Sequence, residues 1–198
     1  MSKKFQIGVK DLYCGLYDAD ENTYSEIAHI EGLKSTKLTI NRGQEVFYSD
    51  DTASQVVNYL ESVEVEFEVT NLTIEERAKL LGYATSKGAL AITANDKAPA
   101  VGIAFRSLKS DNKSYRYFAI HNITFKDPED ELTTREDGIE ETVLVMTGIA
   151  TPLNDENRTV VIMADSDATN ADASYLSTFL TSIPTELPAE MLTAKASK

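Results

Sequence analysis

The chain offers few side chains of the kinds that bind metals or act as nucleophiles. It contains two histidines, His29 and His121, and one cysteine, Cys14. A zinc site usually draws several Cys or His ligands at short spacings, and neither histidine has such a neighbour in sequence. Cys14 lies in an apolar stretch between Leu12 and Leu16, which favours a small buried thiol. We therefore expect no metal site and predict that both histidines are half-buried residues of strands.

Carboxylates are the other side chains in the sequence that could take part in catalysis. Asp50-Asp51 and residues 127–131 could supply an acid and a base across a cleft. Adjacent carboxylates in an acid-rich loop more often form a solvated surface, and the calcium-loop spacing D-x-[DN]-x-[DN]-G does not occur. The motifs GxxxxGK[ST], GxGxxG and GxSxG are also missing from the sequence. We therefore expect no enzymatic activity and no cofactor, and a carboxylate-based hydrolase stays as the weaker alternative.

The charge balance narrows the range of partners. The 198 residues carry 32 acidic and 19 basic side chains, which gives a formal net charge of −13. This excess argues against tight binding to nucleic acid or to an anionic membrane. One stretch nevertheless combines aromatic and basic side chains as a single-strand binding surface would: Arg106, Lys109, Tyr115, Arg116 and Tyr117. The net charge favours packed tyrosine rings and paired cations there.

The length and the termini of the chain limit the expected number of domains and the expected cellular compartment. A chain of this length predicts one domain, which we assign to residues 1–183, followed by a flexible tail over residues 184–198. A lone cysteine excludes an internal disulfide framework. The N-terminus lacks the apolar run of a signal peptide, and residues 160–164 are far short of the ~20 apolar residues that span a membrane. We expect a protein that is made, and stays soluble, in a cytoplasm.

Strand patterns dominate the elements that must position these side chains. Residues 63–69 alternate apolar side chains with Glu64, Glu66 and Glu68, so one face of the predicted strand is apolar and the other acidic. Asn41-Arg42-Gly43 separates two apolar stretches and predicts a tight turn, and residues 110–113 predict a second. About eight such strands favour an antiparallel β-sandwich or barrel, mainly β.

Two helices are predicted beside the strands. Thr73 followed by Glu76 forms a capping-box pattern, and Gly82 is suited to end the helix that follows. A second, C-terminal helix is predicted from about residue 171 to 181, with Asn170 as its cap and Pro184 after its end. The expected fold is therefore the β-sandwich or barrel with one flanking α-helix and a C-terminal helix.

An ordered series of short segments carries a resemblance to a known family. The segments are IGVKDLY (7–13), VFYSDD (46–51), VEVEFEV (63–69), ERAKLLG (76–82), GIAFR (102–106), YRY (115–117), ITF (123–125) and TGIA (147–150). Together they resemble the major tail protein of long, non-contractile-tailed bacteriophages, the subunit of the tail tube, over roughly residues 5–183. The resemblance implies a β-sandwich with a flanking helix and no catalytic residues.

The resemblance also implies partners and a location. Copies of the chain would form hexameric rings that stack into a tube, attach to other phage tail proteins, and let double-stranded DNA pass without holding it. The protein would be assembled in the bacterial host cytoplasm and reside in the phage tail of the virion, with no membrane partner. Other self-assembling β-proteins, such as a capsid decoration subunit or a secretion-tube subunit, remain alternatives.

Two groups of residues are the candidate sites under this resemblance. The segment from residue 49 to 59 has an ambiguous pattern, and in the family such a segment belongs to an extended hairpin or loop that contacts the next subunit or ring. We therefore expect an inter-subunit or inter-ring loop with these residues: Tyr48, Asp50, Asp51, Gln55 and Tyr59. The strand acids Glu64, Glu66 and Glu68 are candidates to face the lumen, where they would repel phosphate. The alternatives are that they are solvated, or pair with cations of a neighbour.

Overall fold

The computed structural model describes residues 3–49, 52–130 and 143–188. The fold is mainly antiparallel β, with 54% of these described residues in strands and 11% in helices. In chain order the elements are β1 (Gln6–Asp18), β2 (Thr23–Ile30), β3 (Leu33–Ser49), β4 (Thr52–Val69), α1 (Ile74–Leu81), β5 (Ala84–Ser86), β6 (Ala89–Ala91), β7 (Val101–Lys109), β8 (Tyr115–Phe125), β9 (Leu144–Ala150), β10 (Val161–Asp165) and α2 (Ala173–Ser182). The predicted class, with a flanking helix and a C-terminal helix, is confirmed.

One eight-stranded sheet forms most of the described fold. Its strands follow the order β2-β1-β7-β8-β9-β4-β3, and β10 pairs with β8 beside β9. The short strands β5 and β6 form a separate hairpin. The sheet curls on itself, because side chains of β1 and β4 share one core although three strands separate them in the sheet. Leu12 of β1 and Phe67 of β4 are both fully buried in that core.

The two helices cover different faces of the sheet. Leu80 and Leu81 of α1 join the main core inside the curl. Phe179 of α2, together with Ile183 just after it, packs on the opposite face of β7, β8 and β10, against a second cluster that includes Ala119. Strands β7 and β8 are therefore covered on both faces, and α2 caps the sheet of its own chain.

The predicted capping signals are correct for the first helix. Thr73 Oγ1 accepts a hydrogen bond from the backbone of Glu76, whose carboxylate accepts one from the Thr73 backbone, and Gly82 ends the helix in the left-handed region at φ 76°. For the second helix the predicted start was wrong. Its N-cap is Asp172 and not Asn170, because the Asp172 carboxylate accepts from the backbone N–H groups of Ser174 and Tyr175.

The predicted turn at residues 41–43 was also wrong. These residues lie inside β3, which continues to Ser49 and pairs with β4 along its whole length. Gly43 has no positive φ. A Cβ atom there would lie 2.3 Å from the ring of Tyr59, its partner across the hairpin. The glycine therefore makes room for an aromatic ring and does not reverse the chain.

Candidate assembly surface

The outer half of the β3–β4 hairpin extends beyond the rest of the sheet. Strand β4 pairs with β9 only from Val63 to Val69. Residues 43–49 and 52–59, which we call the arm, pair with each other and with no other described strand. At about 3.3 Å per residue the arm is roughly 25 Å long. A two-stranded ribbon of this length is marginally stable alone in water, so contacts with another surface are expected.

The arm exposes apolar side chains on both of its faces. Val46 lies opposite Val56 on one face, while Phe47 and Val57 lie on the other. The exposed large side chains are Val46, Phe47, Tyr48, Val56, Val57 and Tyr59, with 39–73% of their surface accessible. Each face also carries polar side chains, Gln44 and Asn58 on the first and Glu45 and Gln55 on the second, but neither face is polar throughout, as one face of a solvated hairpin would be. The arm therefore has the composition of a ribbon that is covered in an assembly.

The structure brings together part of the predicted inter-subunit loop. Tyr48 and Gln55 lie near the end of the arm, since Tyr48 pairs with Ala53 and Gln55 with Phe47. Tyr59 lies nearer the base. Asp50 and Asp51 lie outside the described residues. Of the two forms expected, an extended hairpin or a loop, the described residues form the hairpin, because residues 52–59 continue β4.

The exposed valines of the arm were not predicted from the sequence. Val46, Val56 and Val57 are about as exposed as Tyr59, yet none of them was named as a candidate contact residue. A signal was present: apolar β-formers occur at successive positions, where a strand with one solvated face would alternate them with polar residues.

The predicted acidic face of β4 is confirmed, but it is not purely acidic. Val63, Val65 and Phe67 are buried, and Glu64, Glu66 and Glu68 point to the opposite side. Neighbouring strands place Lys37 and Thr147 beside Glu66, and Thr39 and Ile149 beside Glu64. Asn41 Nδ2 donates to Glu64 Oε1 at 3.3 Å.

A groove runs across this outer face. It has a volume of about 220 Å³, with Lys37 on its β3 side, Lys126 beyond β9, and Ile149, Glu64 and Glu66 among its lining residues. We call this surface the β9 face and define it by these residues: Lys37, Glu64, Glu66, Glu68, Lys126, Val145, Thr147 and Ile149. Val145 and Ile149 are exposed by 39% and 43%. The face combines apolar and charged side chains, which is more typical of a protein contact than of a plain solvated sheet.

The aromatic and basic strand residues are packed and paired, as the sequence predicted. Arg116 donates to both carboxylate oxygens of Asp165, at 2.6 and 2.7 Å, and Lys109 pairs with the same residue. Arg106 donates to Asp11 and lies over the ring of Tyr115, 4.5 Å from its centre. These cations are therefore unavailable to a nucleic-acid strand in this arrangement.

The side chains considered for nucleophilic or metal chemistry, Cys14, His29 and His121, lie in different environments. Burial raises the pKa of the Cys14 thiol to about 12, which keeps it protonated. His29 is exposed and His121 fully buried, so the prediction that both are half-buried was wrong. Burial lowers the pKa of His121 to about 4, and its Nδ1 lies 2.9 Å from the hydroxyl of Tyr24.

The described ranges 3–49, 52–130 and 143–188 contain neither a metal-binding cluster nor a membrane-spanning helix. No group of three or more His, Cys, Asp or Glu side chains in them is arranged to hold a metal ion. None of their helices is long and apolar enough to cross a membrane.

Comparison with known proteins points to one family. The family model described as phage tail tube protein matches residues 8–179, which is most of the chain. No curated protein matches the chain significantly. The matched range includes the whole arm, the β9 face and the first seven of the ten residues of α2.

Proposed function

Because the chain belongs to the phage tail tube protein family, whose members are structural and non-enzymatic, we propose that its copies form hexameric rings stacked into the tube of a phage tail. In this proposal the tube is the conduit through which the genome leaves the virion. The protein is a phage tail component that assembles with itself and with other tail proteins. Its assembly takes place in the cytoplasm of the bacterial host.

The arm is the observation that supports self-assembly. It extends beyond the sheet and exposes apolar side chains on both faces. Burial of these side chains between copies stabilises an oligomer by roughly 25 cal/mol per Å² of apolar surface removed from water. A contact in which the arm of one copy meets a different surface of the next is heterologous, and such contacts close into rings or continue as helical filaments. Tyr48, Gln55 and Tyr59 take part in this contact, and the sequence prediction adds Asp50 and Asp51 to it.

The acid excess fits the passage of DNA. A tube subunit with net charge −13 offers little attraction to phosphate, so double-stranded DNA slides through without being held. Screening limits this effect to charges within about 8 Å of the DNA at physiological salt. For Glu64, Glu66 and Glu68 three placements were open: the lumen, a solvated surface and a contact with a neighbour. Lys37 and exposed Ile149 beside them favour the contact.

Negative-stain microscopy of the purified protein at increasing concentration tests this function. We expect rings or tubes with six-fold symmetry. The matched variants are Val46→Thr/Val56→Thr on the arm and Met163→Thr on β10, since all three residues are exposed apolar residues of strands. The arm variant should stay monomeric where the β10 variant still assembles. A protein that stays monomeric at every concentration, or that decorates capsids without forming tubes, would contradict the proposal.

A further inference from the structure

Strand β10 lies where β9 would continue along the edge of β8. Strand β8 pairs with β10 over residues 116–120 and with β9 over residues 123–125. Strand β7 pairs with β8 at both Ile120 and Ile123, so β9 and β10 share the opposite edge of β8. Both run antiparallel to β8. Strand β4, which is antiparallel to β9, would therefore meet β10 next if it continued in the plane of the sheet.

The arm nevertheless does not pair with β10. Strand β4 leaves β9 at Val63, opposite Ala150, and Ala150 is itself opposite Ile123 of β8. From there the arm runs toward the level of Ile120, where β10 begins to pair with β8. Among the described strands, however, β10 pairs only with β8, and the two strands of the arm pair only with each other. The arm therefore diverges from β10 at its base.

The connection between β9 and β10 does not hold the two apart. Its Asn154 donates a backbone hydrogen bond, at 3.4 Å, to the hydroxyl of Tyr17. Tyr17 belongs to β1, which is separated from β8 by β7, so this connection runs across the sheet and away from β4. The chain enters β9 at the opposite end, where Leu144 pairs with Val69. The divergence therefore arises in the β3–β4 hairpin.

A β-bulge lies at the point of divergence. Asn41 pairs with Ser62, and the next pair along the hairpin is Arg42 with Leu60. Glu61 is therefore an extra residue of β4 with no partner in β3. Such a bulge bends its strand, increases the local twist and commonly occurs where pairing ends. Asn41 Nδ2 donates to Ser62 Oγ at 3.0 Å, so a side-chain hydrogen bond spans the hairpin directly beside the bulge.

We infer that the bulge at Glu61 turns the arm away from β10 and so keeps it free to contact a second copy of this chain. The inference rests on the proposed self-assembly and adds the feature that prepares the monomer for it. Leu60 and Val161 already pack against the same core, so a β4 without the bulge would carry the arm along the edge of β10. An unpaired strand edge is a template for another strand. Pairing with its own β10 would withdraw the arm from assembly.

The bulge residue can be removed without changing which way the arm's side chains face. Leu60 and Val63 both pack against the core, although residues three positions apart in a regular strand point to opposite faces. Deletion of Glu61 brings them to two positions apart, which is the regular spacing for one face. The deletion therefore keeps the composition and the faces of the arm and changes only the direction in which it leaves the sheet.

Deletion of Glu61 tests the inference, with Glu61→Gln as the matched control. Both changes remove the same charge from an exposed position, and only the deletion removes the bulge. In hydrogen exchange of the monomers, we expect the amides of residues 56–60 and 161–165 to exchange at least about tenfold more slowly in the deletion variant than in the control. The concentration needed for assembly should rise at least about tenfold in the deletion variant and stay within about threefold of the wild type in the control.

A disulfide within one chain reports the position of the arm directly. Asn58 and Met163 lie two residues beyond Leu60 and Val161, so each shares the face of the residue that packs on the core. The pair Asn58→Cys/Met163→Cys is placed in the deletion variant and in the chain with the bulge, and each is oxidised as a dilute monomer. We expect the disulfide to form at least about tenfold faster in the deletion variant, because paired strands bring side chains on one face together. The native Cys14 is buried and does not interfere.

These results separate this inference from the proposed function. Unchanged exchange in the deletion variant, or equal disulfide rates with and without the bulge, would overturn the inference, because the arm would not move onto β10. Assembly of the deletion variant at the same concentration as Glu61→Gln would also overturn it. Exchange and disulfide formation are measured on monomers, so they decide the role of the bulge even where a wild type that never assembles refutes the proposed function.

A second variant covers the case in which the deletion prevents folding. Asn41→Ala keeps the chain length and removes the hydrogen bond to Ser62 beside the bulge. We expect exchange of residues 161–165 to slow by about threefold, and the concentration needed for assembly to rise by about threefold, since one hydrogen bond is lost from the feature that directs the arm. Exchange of residues 161–165 at the wild-type rate would overturn the inference.

Discussion

Lys109 Nζ lies 3.1 Å from Asp165 Oδ1, where β7 and β10 end on either side of the start of β8. The Lys109 side chain is only 6% exposed and also pairs with Asp167. Lys4 donates to Asp167 and to Asp111, so the network ties the N-terminal residues to three other segments. Arg116 also pairs with Asp165, so the network has three cations and three carboxylates, and this balance explains how a lysine is tolerated in this position.

Replacement of Lys109 by methionine should destabilise the monomer by about 2 kcal/mol. The substitution removes a charge that two carboxylates share and leaves them facing each other. Urea unfolding at low and high salt measures this, and the loss should shrink as salt screens the remaining carboxylates. Lys113→Met is the matched control, because Lys113 is an exposed lysine of the adjacent turn. Equal stabilities of the two variants would mean that the network contributes nothing.

His121 should make the monomer less stable as the pH falls from about 6.5 to about 4. Burial lowers the pKa of the folded imidazole to about 4, while the unfolded chain titrates near 6.5. Between these values the unfolded state binds more protons, so stability is full above pH 6.5 and falls by about 3 kcal/mol by pH 4. Below pH 4 this contribution is constant.

Urea unfolding of His121→Gln between pH 7 and pH 4 measures the contribution of that histidine. The amide can still pair with Tyr24, and the slope of stability between pH 6.5 and 4 should be largely lost. His29→Gln is the control, because His29 is exposed. A slope that persists unchanged in His121→Gln would assign the pH dependence to other groups.

Gly82→Ala should destabilise the chain more than Gly88→Ala does. Both glycines have φ 76°, so an L side chain is strained at either position. At Gly82 a Cβ would also lie 2.2 Å from the backbone oxygen of Lys97, whereas at Gly88 nothing lies within 4 Å. We expect a loss of about 1 kcal/mol for Gly88→Ala and about 3 kcal/mol for Gly82→Ala. Thermal and urea unfolding of the two variants compares them, and equal losses would show that the Lys97 segment moves away freely.

The sequence was sufficient for elements whose signals are local. Alternation from Val63 to Val69 predicted a strand with one buried face, and the Thr73–Glu76 pattern predicted a helix start, because both depend on neighbours within a few residues. The turn predicted at residues 41–43 was wrong because the glycine there serves a contact with a residue far along the chain. Gly43 is needed by the ring of Tyr59, sixteen positions later, and composition alone does not distinguish this use of glycine from a turn.

The candidate surface was predictable only in part for a similar reason. The resemblance indicated that the segment around Tyr48 contacts a neighbour, but the arm depends on where β4 stops pairing with β9, which no local pattern records. No local sequence pattern predicts the mixture of charged and apolar side chains on the β9 face either. Lys37 and Ile149 approach the glutamates of β4 only through strand pairing.

The triple variant Glu64→Gln/Glu66→Gln/Glu68→Gln separates the two roles of the acidic face. If these residues lie at a contact between copies, the loss of their charge changes assembly, and the concentration that gives tubes should shift by about threefold or more at low salt. The direction follows from the net charge: each copy carries −13, so the loss of three negative charges at a contact lowers the repulsion between copies, and assembly should become easier and less sensitive to salt.

Lysine at the same three positions tests the lumen directly. In a lumen, lysines would attract phosphate, so particles carrying Glu64→Lys/Glu66→Lys/Glu68→Lys would assemble normally and eject DNA slowly. At a contact between copies, lysines would lie beside Lys37 and Lys126 of their own chain and reverse the charge of the contact, so assembly would change while any tubes that form eject DNA at the normal rate. Tube yield by microscopy and DNA release by dye fluorescence therefore give opposite patterns for the two roles. Normal assembly with slow release would contradict the contact and assign these glutamates to the bore.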